Sequence, residues 1–97
     1  MNYIPSVVQT VAGDDFTVYV YFNDGSIHLA DMKPLIAEGG VFAKLADEVF
    51  FRERLTVMND TVAWDISGTR DETQCIDLDP CRLYEYPIVG DPLKDAV

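Results

Sequence analysis

His28 is the only imidazole in the 97-residue chain. Histidine titrates near neutral pH, so beside hydroxyl-bearing side chains it could act as a general base or a ligand contact. Tyr19 and Tyr21 supply such neighbours in the strand pairing expected below. The plainer alternative is a half-exposed strand residue stacked on its cross-strand tyrosine. Five carboxylates, Asp65, Asp71, Glu72, Asp77 and Asp79, fall within fifteen positions. Hard cations such as Mg²⁺ or Ca²⁺ take several oxygen ligands, so Asp65, Asp71, Glu72 and Asp77 are weak candidates for a metal site. Asp79 precedes Pro80 and is better suited to capping a helix. The spacing does not match the Asp-x-Asp-x-Asp-Gly of a calcium loop, and Arg70 could neutralise part of the charge. A solvated acidic edge accounts for the same residues. Cys75 and Cys81 match neither a Cys-x-x-Cys redox site nor a zinc quartet, and are expected to be plain thiols. No serine or cysteine sits in a nucleophile elbow and no glycine-rich phosphate loop follows a strand, so no cofactor is expected.

The elements that would carry these residues are legible from periodicity. Phe16-Thr-Val-Tyr-Val-Tyr-Phe22 alternates, with Phe16, Val18, Val20 and Phe22 on one face and Thr17, Tyr19 and Tyr21 on the other. Asn23-Asp24-Gly25-Ser26 follows, and a two-residue Asp-Gly turn predicts that Phe22 faces Ile27, Tyr21 faces His28 and Val20 faces Leu29. Tyr19, Tyr21 and His28 would then share the side away from the core. Val7–Ala12, ending in Gly13-Asp14-Asp15, adds a third antiparallel strand. Pro34-Leu-Ile-Ala37 reads as a helical turn stopped by Gly39-Gly40. Asp47–Arg54 reads as a second short helix with Asp47 as its N-cap. A hairpin turning at Asn59-Asp60 pairs Val57 with Val62 and Leu55 with Trp64. Trp64, Phe42, Phe50, Phe51 and Leu55 are expected in the core. A short strand from Gln74 to Leu78 and a helical turn from Cys81 to Glu85, capped by Asp79-Pro80, complete the set.

These elements predict one small α+β domain over residues 1–86, followed by a loosely held tail over 87–97. The domain is an antiparallel sheet of about five strands built from two hairpins, with two or three short helices. Hydrophobic residues at 48% and charged residues at 25% suit a folded domain and exclude a disordered chain. The formal net charge of −10 disfavours nucleic-acid phosphates as a target. The first residues carry no basic stretch and no long apolar run, and no segment approaches the roughly 20 apolar residues of a membrane span. A cytoplasmic location is the expectation.

Several stretches resemble a small uncharacterised bacterial family, numbered 2442 among domains of unknown function. They are Tyr21-Phe-Asn-Asp-Gly-Ser, Ala30-Asp-Met-Lys-Pro-Leu-Ile, Gly40-Val-Phe-Ala-Lys-Leu-Ala-Asp, Phe50-Phe, Thr61-Val-Ala-Trp64 and Ile76-Asp-Leu-Asp-Pro80. The resemblance runs from Val20 to about Tyr84. It implies a compact α+β domain of antiparallel strands with short helices, and it implies no activity. Some members join the domain to a helix-turn-helix; no such segment follows here, so direct DNA binding is not expected.

If helices cover only one side of the sheet, Tyr19, Tyr21, His28 and Tyr3 form an amphipathic aromatic patch of the kind that marks protein contacts. Alternatively the C-terminal segment, with Tyr84, Tyr86 and Ile88, folds over it. The favoured expectation is a non-enzymatic interaction module, regulatory or antitoxin-like, binding a basic partner protein or a second copy of itself. The alternative is a small metal-dependent enzyme using the carboxylates between Asp65 and Asp79.

Overall fold

The computed structural model describes residues 4–69 and 75–93. Strand β1 (Val7–Ala12) pairs with β2 (Thr17–Phe22), and β2 with β3 (Ile27–Asp31), both antiparallel. The chain then forms helix α1 (Lys33–Glu38), a 3₁₀ helix (Gly40–Ala46) and helix α2 (Glu48–Glu53). A second meander follows, of β4 (Leu55–Met58), β5 (Thr61–Asp65) and β6 (Cys75–Asp77), and α3 (Pro80–Leu83) comes last. Among the described residues, the architecture is a compact α+β domain with six strands in two three-stranded antiparallel sheets. The expected single sheet of about five strands is thus divided. Each hairpin recruits its own third strand, and the sheets meet where Val7 donates its backbone N–H to the Asp60 carbonyl at 2.8 Å.

Local chemistry accounts for most of the element ends. Asp47 accepts from the backbone N–H groups of Val49 and Phe50, and Asp79 accepts from that of Cys81. Each carboxylate thereby satisfies donors that the first helical turn leaves without partners. In the β4–β5 turn, Asn59 (φ 53°) and Asp60 (φ 62°) both take the left-handed conformation a two-residue hairpin loop requires. The expected pairs Val57–Val62 and Leu55–Trp64 are present. Trp64 is fully buried, 5.4 Å from the ring of Phe51, and its indole N–H donates to the Phe51 carbonyl at 2.9 Å. That bond lets a polar atom lie in the core without a desolvation penalty.

The first hairpin turns differently from expectation. Gly25 donates to the Phe22 carbonyl, and Phe22 donates to that of Ser26. Asn23-Asp24-Gly25 is therefore a three-residue loop, with Gly25 at φ 89°. One extra loop residue slides β3 by one position, so Val20 faces His28, Tyr21 faces Ile27 and Tyr19 faces Leu29. Because side chains alternate, the slip exchanges the two faces of the whole strand. His28 and Ala30 now join Val18, Val20 and Phe22 inside, while Ile27, Leu29 and Asp31 lie outside. The expected register would have turned Asp31 inward with Ile27 and Leu29, burying a carboxylate at considerable cost. In the observed one, Asp31 pairs with Lys33 at 3.1 Å.

Phe16 also departs from the strand pattern. It precedes β2 in the left-handed conformation (φ 59°), unusual for a bulky residue. Its ring still packs edge-on against Phe51, 5.3 Å away.

The segment expected as a loose tail begins with an isolated antiparallel bridge along the edge of β3. Leu29 donates to the Pro87 carbonyl at 2.9 Å, Val89 donates to that of Ile27 at 2.8 Å, and Ile88 bridges to His28. These bonds occupy the outer edge of β3, which would otherwise offer unpaired backbone groups to another chain.

Candidate functional site

His28 occupies a built polar site rather than a free surface. It is 2% exposed, and its ring lies 5.0 Å from that of Phe22 and 4.7 Å from that of Tyr84. Nδ1 is 2.7 Å from the Tyr86 carbonyl, which can only accept, so Nδ1 carries a hydrogen. Nε2 lies 3.0 Å from the Ser26 hydroxyl, which itself reaches Asp24 at 2.6 Å. The other Asp24 oxygen accepts from the Tyr84 hydroxyl at 2.5 Å. Donation from the Ser26 hydroxyl first, then from Tyr84 and the Ser26 N–H, lowers the Asp24 carboxyl to about 2. The network ties the first hairpin loop to the chain after α3. The His28 position in the expected surface is therefore corrected: it lies on the core side, across the sheet from Tyr19 and Tyr21.

The two tyrosines do share a face. Tyr19 and Tyr21 stand outward on β2, flanked by Leu29 and Ile27 on β3 and by Val11 opposite Tyr19 on β1. All five are half-buried, and none belongs to the core or packs against it. The C-terminal segment borders this face at one corner, where the Tyr21 hydroxyl donates to Asp91 at 2.8 Å. Withdrawal from water, then the hydrogen bond and charge of Asp91, push the Tyr21 phenol up to about 12. Tyr84 and Tyr86, which the covering alternative placed over this face, instead pack against the core. Tyr3 lies outside the described residues.

The acidic candidates do not converge. Asp65, at the end of β5, is buried, and its carboxylate accepts from the Gly68 N–H at 3.1 Å and the Ser67 hydroxyl at 3.2 Å. It thereby closes the turn that leaves the strand. Asp77 is exposed on β6, and Asp71 and Glu72 lie outside the described residues. Among the described residues, no group of three His, Cys, Asp or Glu side chains is arranged to hold a metal ion. Nor is any helix there long and apolar enough to cross a membrane.

Sequence reasoning missed Ser26, Tyr84 and the Tyr86 carbonyl as neighbours of His28, and Asp24 behind Ser26 and Tyr84. The available signal was the triplet Asn23-Asp24-Gly25, which suits a three-residue loop with glycine at its left-handed third position as well as a two-residue one. Comparison with known proteins adds a family but no activity. No curated protein and no solved structure matches the chain. The family model described as protein of unknown function (DUF2442) matches residues 7–88, and the chain belongs to that family.

Proposed function

We propose that this chain is a non-enzymatic protein-interaction module of the bacterial cytoplasm, a regulatory or antitoxin-like subunit that binds a basic partner protein. The observation carrying this reading is the outer face of the first sheet. There Tyr19 and Tyr21 stand beside Val11, Ile27 and Leu29 without packing against the core. Tyrosine brings large contact area at little conformational cost, and its hydroxyl tolerates both water and a partner. The net charge of −10 selects the partner's sign. Opposite charge speeds encounter and repels acidic competitors.

The test is recovery of the tagged chain from its native host, beside a Tyr19→Ala/Tyr21→Ala variant whose circular dichroism matches wild type. The expected result is one basic polypeptide retained by wild type and lost from the variant, its association slowing as salt rises. Equal recovery of the same polypeptides by both forms would remove the tyrosine face from the proposal. A monomer that retains nothing would remove the module itself.

A further inference from the structure

A second surface lies away from the tyrosine face. A groove of about 550 Å³ opens between α1 and the 3₁₀ helix on one side and β6 and α3 on the other. That volume is in the range of about 300–1,000 Å³ typical of ligand sites. Its floor includes Leu35, Phe42 and Leu78, each half-buried and packed on the core beneath. Its rim carries Glu38, Asp77, Asp79 and Glu85 against one cation, Arg82. Asp79 caps α3, but Glu38, Asp77 and Glu85 are exposed and enter no ion pair among the described residues. Three other cations of the described residues are engaged elsewhere. Lys33 bridges Asp15 and Asp31, Arg52 reaches Asp14 and Glu48, and Arg54 donates to the Asp65 carbonyl.

We propose that this groove receives a basic amphipathic segment of the partner protein. Its apolar side chains would seat on Leu35, Phe42 and Leu78 while its Lys or Arg residues meet Glu38, Asp77 and Glu85. Two features select this occupant. The apolar floor calls for side chains that leave water, and the four-to-one acidic rim calls for cations beside them. A second copy of this chain is a poor fit, because it brings its own excess of carboxylates. The proposal rests on the reading of the chain as a module for a basic partner, but on a different face from Tyr19 and Tyr21.

The probe is a synthetic amphipathic peptide of leucine and lysine about five helical turns long, followed by fluorescence anisotropy with the full chain. Wild type should bind it, and replacing the peptide's leucines by serine should abolish binding. Asp77→Lys/Glu85→Lys should weaken binding by about tenfold or more. Glu48→Lys/Glu53→Lys on α2, with the same charge change outside the groove, should stay within about twofold of wild type. Tyr19→Ala/Tyr21→Ala should bind as wild type does, which separates this site from the sheet face. Three results would overturn the proposal: no binding to wild type, equal loss in both lysine variants, or loss only in the tyrosine variant. A dimer of the chain alone that the groove variant dissociates would assign the groove to a second copy, and would overturn it too.

Discussion

Asp24 and Tyr21 are the two side chains whose surroundings make their ionisation report on the fold. Asp24 titrates at about 2 in the folded chain against 3.8 for an ordinary aspartate. A lowered carboxylate stabilises the fold above the unfolded value, and that contribution is lost as pH falls from about 4 through about 2. Acid unfolding followed by tryptophan fluorescence should therefore steepen in that window, and Asp24→Asn should flatten it. Tyr21 runs the other way. Its phenol is raised from 10.0 to about 12, so its contribution is complete below pH 10 and disappears as pH rises through about 12. In an absorbance titration, the Tyr21 phenol should ionise late. Asp91→Asn should bring it part of the way back, because withdrawal from water is the larger cause and remains. The Tyr21 shift was not legible in sequence, since Asp91 lies seventy positions away; for Asp24 only the Tyr84 contribution was hidden, because Ser26 stands two positions on.

At the scale of elements, turn chemistry decides which face each strand presents. Gly25 at φ 89° accepts a conformation that costs other residues about 1–2 kcal/mol, so Gly25→Ala should destabilise by about that amount. Asp60, at φ 62° in the other hairpin, carries such a cost already. Asp60→Gly should stabilise by up to about 1 kcal/mol once glycine's extra unfolded freedom is deducted. Urea unfolding of the two variants would check both signs. Gly13 constrains the β1–β2 connection differently. A Cβ there would stand 3.1 Å from the Tyr19 ring and press on the Thr17 hydroxyl. Gly13→Ala should cost about 1–3 kcal/mol through overpacking, and should also disturb Tyr19 on the outer face. The strands, the caps at Asp47 and Asp79 and the second hairpin's register follow from local pattern. The first hairpin's register does not, because Asn-Asp-Gly accommodates two loop lengths.

For the molecule as a whole, the segment after α3 closes what the sheets leave open. Pro87 and Val89 occupy the edge of β3, and Asp91 reaches the tyrosine face. Ending the chain at Tyr86 would remove two backbone hydrogen bonds, each worth about 0.5–1.5 kcal/mol, and expose a strand edge. The shortened protein should melt earlier and show concentration-dependent association in light scattering, whereas the full chain should not associate through this edge. The two candidate docking surfaces differ in how visible they were. Tyr19 and Tyr21 were legible as a face because both sit on one strand of alternating sequence. The groove was not, because Glu38, Asp77 and Glu85 come from segments that only packing brings together.

From sequence alone came the six extended segments but one sheet where there are two, the helix caps, the aromatic core around Trp64 and the acidic character. All of these depend on residue type and spacing within a few positions. The tertiary structure decided the side on which His28 lies, where the C-terminal segment runs and what surrounds each carboxylate. For β3, local pattern offered two rows: Ile27, Leu29 and Asp31, or His28 and Ala30. The first is the more apolar at its start but ends in a carboxylate that burial would strand. The second places an imidazole inside, where Ser26 and the Tyr86 carbonyl stand ready to bond it. The cost of an unsatisfied buried charge exceeds the gain from two larger aliphatic side chains, and that comparison exists only once distant residues have come together.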